Sequence, residues 1–320
     1  MHEQALDIYD DIPESITRPL EALDAASAYG GRRLRLLGVG MLRLSLRLMM
    51  IGLVAGSAAF AQDDGSPRWL ERASITRAKQ PDWVTPLITA SANLEEAVIY
   101  DISRKIPTNG IPLVTAGSNR GIQFVPFRAL QITFATTPYE FHNNTHIENG
   151  FGDTQFGFKY RLASSNIERK DFAVSIATGV SVPTGSYQNG QHSGTLTPTV
   201  LGEKGWGRFN VQSTIGIQIP VSDTYLTGQP YIFNTAFQYR LGKMLWPEFE
   251  VNAIGNKGGP SDGKKQTFLT PGLFVGRIPL TRNMGLTFGV GMQIAATRYH
   301  SYDHNLLFSV RLPLEARREN

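Results

Sequence analysis

The sequence predicts an all-β protein: an antiparallel transmembrane β-barrel of about twelve strands, with ten or fourteen as alternatives, behind a cleavable signal peptide. Three observations carry this reading. Stretches of about ten residues alternate apolar and polar side chains, the length a tilted strand needs to cross a bilayer. No apolar run reaches the roughly 18 residues of a membrane helix. The N-terminal region joins an arginine cluster to a short apolar run that ends in small residues, the pattern of an export signal.

The clearest alternation lies in 152–182. Thr154, Phe156, Phe158, Tyr160 and Leu162 share one face of a strand, with Asp153, Gln155, Gly157, Lys159 and Arg161 on the other. After a polar turn, Phe172, Val174, Ile176, Thr178, Val180 and Val182 oppose Ala173, Ser175, Ala177, Gly179 and Ser181. A period of two gives a strand two different faces.

Ahead of this core, Arg32, Arg33, Arg35, Arg43 and Arg47 precede an apolar run over 48–60 and the site Ala59-Phe60-Ala61. These define a signal peptide at 41–61, cleaved before Gln62, with 1–40 an N-terminal extension or a mis-assigned start. No cysteine is present, which removes disulfides, thiolate metal sites and a lipid-anchored N-terminus. Residues 62–92, with Pro67, Pro81 and Pro86, show no sustained alternation and read as a periplasmic lead-in with one helical turn within 69–78. The barrel occupies 93–314 and a polar tail 315–320.

In order, the strands are expected near 94–104, 121–126, 129–136, 153–162, 172–182, 195–201, 209–219, 231–241, 248–255, 267–277, 285–297 and 305–313. The odd connections, 105–119, 138–150, 183–194, 221–230, 256–266 and 298–304, are mostly long and rich in Gly, Asn, Pro and His. The even ones, such as 126–128, 202–207 and 242–245, are mostly shorter. Short periplasmic turns and longer outer loops are the asymmetry of outer-membrane barrels.

Periodicity does not say which face is inside, but composition does. The polar faces carry mainly Gly, Ala, Ser, Asn and Gln with sparse charge, which suits a crowded lumen better than an open aqueous surface. The apolar faces hold no charge in mid-strand, where an Arg or Lys would cost roughly 2–4 kcal/mol in lipid. Tyr160, Trp206, Phe209, Tyr239, Trp246 and Phe249 gather at the inner strand ends, and Tyr187, Tyr225, Tyr231 and Tyr299 at the outer, as two interfacial girdles. Charged residues make up 18% and the net charge of +4 is dispersed, with no basic stripe for nucleic acid.

Several motifs are more specific. Gly150-Phe151-Gly152-Asp153, Lys159-Tyr160, Val182-Pro183-Thr184-Gly185 and Lys204-Gly205-Trp206-Gly207 are joined by Asn234-Thr235-Ala236-Phe237-Gln238-Tyr239, 246–252 and Thr270-Pro271-Gly272-Leu273. Together they resemble the Gram-negative outer-membrane barrels named after a meta-pathway of phenol degradation, often labelled transporters. The resemblance runs from about Trp83 to Leu314 and implies an outer-membrane location and the passage of small molecules, aromatic or hydrophobic ones among them. The chain departs from such barrels at its end, where Leu314 and a polar tail stand in place of a terminal aromatic.

For a channel, the pore-lining candidates are Asp153, Gln155, Lys159, Arg161, Gln212, Gln238, Arg240, Glu248, Glu250, Gln293 and Arg311, whose charges could set selectivity. In a competing arrangement, Lys159, Arg161 and Arg240 pair with Glu248 and Glu250 near the periplasmic end and brace or plug the lumen. A second function is an outer-membrane lipid hydrolase, because the mature histidines His142, His146, His192, His300 and His304 all fall in outer loops. His300-Ser301-Tyr302-Asp303-His304 holds suitable residue types, although no strand fixes their geometry. The spacings His142/His146 and His300/His304 would suit a metal only on a helix, which these loops do not predict. A structural barrel whose loops bind a partner is a third reading. No cofactor motif is present. The expected partners are outer-membrane lipid, a small solute, periplasmic chaperones and the barrel-assembly machinery.

Overall fold

The computed structural model describes residues 69–314 except 109, 144, 145, 192, 282 and 283. The expected extension, signal peptide and polar tail, and His192, lie outside the described residues. A helix, α1 (Trp69–Arg77), comes first. Twelve long strands follow: β1 (Ala97–Pro107), β2 (Leu113–Phe127), β3 (Leu130–His142), β4 (Thr154–Ser165), β5 (Phe172–Val182) and β6 (Thr195–Trp206), then β7 (Phe209–Ile217), β8 (Tyr231–Tyr239), β9 (Leu245–Gly255), β10 (Lys265–Thr281), β11 (Met284–Ala295) and β12 (Tyr302–Pro313). Two-residue strands at Gly150–Phe151 and Ile219–Pro220, and a single helical turn at Thr224–Thr227, decorate the loops.

Each long strand pairs antiparallel with the next, and β12 pairs with β1, so the sheet closes on itself. Closure removes the unpaired strand edges that lipid could not satisfy. The expected twelve-stranded antiparallel barrel is what forms. The hairpin of 152–182 keeps its alternation in register: Phe158 faces Thr178 and Lys159 faces Ala177 across β4 and β5.

Burial runs opposite to that of a water-soluble protein. Val200 and Ile215 are 56% and 60% exposed on the outside, while Gln212, Asn210 and Glu250 are 0% exposed on the inside. Phe158, Ile176, Phe233, Val290 and Phe308 extend the outer apolar belt. An apolar exterior over a polar interior is a lipid-facing wall. Most of the expected girdle residues, Trp206, Phe209, Tyr239 and Phe249 among them, are exposed at strand ends. Trp246 is not: it is 1% exposed and points inward, because its place in the two-residue period puts it with Glu248 and Glu250.

One end of the barrel carries tight connections, such as 207–208, where Gly207 takes a left-handed φ of 63° to let two residues join β6 and β7. The other end carries the longer loops. The expected long loop over 105–119 is mostly strand, leaving only 108–112 between β1 and β2. The reason is a bulge. Between Ala116 and Ile122, β2 slips relative to both neighbours, which breaks the alternation that marks a strand in sequence. Gly121 has φ 21°, and a Cβ there would lie 2.1 Å from the Phe134 carbonyl oxygen, so only glycine lets β2 approach β3 this closely.

The outward side chain of Val200 sits in the middle of β6. Val200→Arg is expected to lose about 2–4 kcal/mol of barrel stability. Heat-modifiable migration in gels reads this as a smaller folded fraction.

Candidate functional site

The interior is not an open tube. Residues 80–96 enter from the short-turn end and lie across the lumen as an irregular strap. The expectation of a periplasmic lead-in is corrected for this part of 62–92: Trp83, Leu87, Thr89, Ala92 and Leu94 are buried inside the barrel. Without regular structure, the strap's backbone groups need partners, and in a closed barrel only the inward side chains can supply them.

The matching follows charge. Lumen carboxylates accept from strap N–H groups: Glu250 from Ile88 at 2.8 Å and Thr89 at 2.7 Å, with the Thr89 hydroxyl at 2.5 Å, and Glu248 from Leu87 at 3.1 Å. Lumen cations donate to strap carbonyls. Arg120 reaches Pro86 at 2.6 Å, and Arg311 reaches Pro86 at 2.9 Å and also Thr85. Arg240 and Arg277 both reach the Asp82 carbonyl, at 2.7 and 2.8 Å. Lys159 reaches Asn93 at 2.8 Å, Ser175 donates to Ala92 at 2.5 Å and Gln212 to Val84 at 3.1 Å. Hydrogen bonds to charged groups contribute about 1.5–3 kcal/mol each, so the strap is held strongly from several sides.

Packing adds to this. Trp83, Val84 and Leu87 form a cluster with Trp246 and Phe274. The Leu87 methyl fits a notch where Gly272 and Gly291 bear no side chain; a Cβ on either would lie 2.7 or 2.3 Å from it. Three guanidiniums lie on aromatic faces, Arg240 over Trp83 at 4.5 Å, Arg277 over Trp246 at 5.3 Å and Arg311 over Phe274 at 4.3 Å. The strap is also pinned to itself, since the Gln80 side chain bonds both the N–H and the carbonyl of Leu94.

At the short-turn end the strap is latched. The Asp82 carboxylate meets Arg277 at 2.5 Å and Arg77 at 3.2 Å. Burial pushes its pKa up, but the two guanidiniums outweigh this and hold it well below the usual carboxylate range. Arg161 donates to Thr76, Gln80 and the Arg128 carbonyl, tying the end of α1 to the turn between β2 and β3. Between α1, the strap and the wall lies a cavity of about 740 Å³ lined by Trp83, Val84, Ile99, Arg277 and Arg311, a volume suited to a small ligand.

The expected inward residues therefore divide by what they hold. Lys159, Arg161, Gln212, Arg240, Glu248, Glu250 and Arg311 grip the strap or the end of α1 rather than pairing with one another, which corrects the arrangement that matched Lys159, Arg161 and Arg240 with Glu248 and Glu250. Gln238 steadies Glu248 at 2.9 Å. Gln293 stands above the strap, donating to Asn252 at 3.2 Å and accepting from the Tyr302 hydroxyl at 2.6 Å. Gln155 is half-buried on the lumen face of β4, and Asp153 leaves the lumen wall to accept from Gly185 and Gln191 in an outer loop. Asp82, Arg120 and Arg277 join this set without a periodic pattern in the sequence to mark them. Arg277, an isolated charge within a strand, was the one signal available for them.

The expectation that the histidines all fall in outer loops is corrected for two of them: His142 is the last residue of β3 and bonds Asn189 at 2.6 Å, and His304 lies in β12, paired with Ile294 and Ile106, because β12 begins at Tyr302. His300 bonds the Thr297 carbonyl at 2.7 Å and Asp303 at 2.9 Å, so both ring nitrogens are engaged, neither of them by Ser301. Among the described residues no group of three or more His, Cys, Asp or Glu is placed to hold a metal.

Two outcomes follow. In Glu250→Ala, the amides of Ile88 and Thr89 lose their acceptor, and their hydrogen exchange should accelerate about tenfold or more. Because the folded pKa of Asp82 is depressed, its contribution is full above the unfolded value of about 3.9 and disappears only as pH falls through the lower folded one. Protection of residues 80–89 should therefore persist at pH 4 in the wild type and be weaker in Asp82→Asn at any pH above that.

A family model described as "Putative MetA-pathway of phenol degradation" matches residues 112–303. No curated protein matches. Among solved structures, an outer-membrane channel from Pseudomonas putida F1 superposes with TM-score 0.50 at 13% identity, covering 72% of this chain and 99% of that one. The NanC porin gives TM-score 0.44 at 9% identity, over 68% and 99% of the two chains. The CymD monoaromatic hydrocarbon channel gives 0.38 at 9%, over 78% and 92%. The match of the family model spans well over half of the sequence, and the chain belongs to this family of phenol-degradation-pathway barrels.

Proposed function

We propose that the protein is a passive outer-membrane channel for small molecules, aromatic or hydrophobic compounds among them, with the strap setting its permeability. The observation that supports this most is the inside-out barrel, whose polar interior is closed at one level by a strap rather than filled by large side chains from every strand. The 740 Å³ cavity lies beside the strap at the short-turn end. Family membership and the fold shared with an outer-membrane channel agree with this reading. The export signal, with cleavage between Ala61 and Gln62, would deliver the chain to the periplasm, from which chaperones and the assembly machinery would insert it.

The geometry predicts low throughput. With the strap seated, wild-type protein in planar bilayers should show small or rare conductance steps. Glu248→Ala combined with Glu250→Ala removes the acceptors of Leu87, Ile88 and Thr89, and should raise mean conductance several-fold. If neither form carries ions or small solutes across a bilayer, the channel reading fails.

A further inference from the structure

The loop end of the barrel is electrically lopsided. The connections at 143–153, 183–194 and 218–230 contain Glu148, Asp153 and Asp223 and no Lys or Arg. On the opposite side, the β9–β10 and β11–β12 loops and the end of β1 carry Arg104, Lys257, Lys264, Lys265 and Arg298, all exposed. The acids nearby are engaged locally: Asp262 accepts from the Gly258 amide at 2.6 Å, and Asp303 holds His300.

These basic residues stand on a built platform. Tyr299 bonds Ser261 at 2.9 Å, joining the two loops, and Lys264 lies 5.0 Å over its ring. The Ser301 amide donates to Gln266 at 3.0 Å and the Thr267 amide to Thr297 at 2.9 Å. Lys265 shares the outer face of β10 with Leu269, and Arg104 shares that of β1 with Tyr100 and Ile102. Directly below, Leu269, Met292, Ile294, Leu306 and Phe308 present a continuous apolar wall. Cations above a hydrocarbon surface fit an amphiphile with anionic head groups and acyl chains.

We propose that this sector of the rim docks one molecule of the outer leaflet's bisphosphorylated saccharolipid, lipid A, with its phosphates on Lys264, Lys265 and Arg298, flanked by Arg104, and its acyl chains on the β10–β12 wall. The proposal rests on the outer-membrane reading above. Lipid A is the occupant because the platform offers several cations within one sector, which matches a head group bearing two phosphates better than a singly charged phospholipid. Arg side chains add bidentate phosphate geometry that Lys lacks.

The test is native mass spectrometry of the full chain in detergent micelles titrated with purified lipid A, which reads the site independently of where the protein resides. Wild-type protein should retain one lipid A, and phosphatidylglycerol at equal concentration should give at least tenfold less adduct. Millimolar inorganic phosphate should not compete. The triple variant Lys264→Glu, Lys265→Glu, Arg298→Glu should lose at least tenfold in bound lipid A, while Arg208→Glu with Lys243→Glu, at the short-turn end, should bind as wild type. Heat-modifiable migration confirms that each variant is folded. Equal retention of lipid A by the triple variant, or equal binding of phosphatidylglycerol, overturns the proposal. Recovery of the protein outside the outer membrane on cell fractionation would overturn the location instead.

Discussion

The strap's backbone is the constraint on which the rest of the interior depends. A stretch of chain without helix or ladder, placed inside a closed barrel, must find partners for its N–H and carbonyl groups among inward side chains. The barrel answers with two chemistries. Carboxylates on β9 take the N–H groups of residues 87–89, and guanidiniums from β2 and β12 and around the β8–β11 turns take the carbonyls of residues 82, 85 and 86. Each of these charges is thereby hydrogen-bonded to a backbone dipole of the strap, and two of them also meet an opposite charge, Arg277 at the Asp82 carboxylate and Arg120 at Asp101, 2.9 Å away. Removing one partner would leave an uncompensated ion in a narrow, poorly hydrated space.

This arrangement explains why a barrel of moderate size holds so many buried ionisable residues on its inner face. In a wide pore, such charges would face water and tune selectivity. Here they are structural first, because the strap has claimed them. Above the strap, Asn252, Thr270 and Gln293 form a hydrogen-bonded group that ends at Tyr302, which is stacked on Phe268 at 4.4 Å and has Lys105 5.8 Å over its ring.

Much of the wall was legible in the sequence, because the two-residue period of residues such as Phe158/Lys159 and Phe237/Gln238 states both strand and face. The count of twelve strands and the inward set from Lys159 to Arg311 followed from that period. It failed where the period was broken. The β2 bulge at Gly117–Gly121 hid half a strand and, with it, the inward Arg120. The strap could not be seen for a deeper reason: Pro81, Trp83, Pro86 and Leu87 have no periodicity, and only the closed barrel turns that stretch from a linker into a core. Trp83 and Leu87, apolar residues in an otherwise unpatterned segment, were the remaining clue. Trp246 was misplaced for a related reason, since an aromatic near a strand end suits the interface and the interior equally until its phase is fixed by neighbours.

The central claim is that residues 80–96 sit in the lumen and that their seat sets what passes. The chain has no native cysteine, so a pair can be introduced without competition. In the variant Leu87→Cys with Gly272→Cys, a Cβ at position 272 would lie 2.7 Å from the place of the Leu87 Cδ1 in the seated strap, and a disulfide should form without added reductant and be visible as a mobility shift. Flux of a small neutral sugar into liposomes should then be lower in the oxidised protein than in the reduced. Absence of the cross-link in correctly folded protein, or identical flux in the two redox states, would contradict the account.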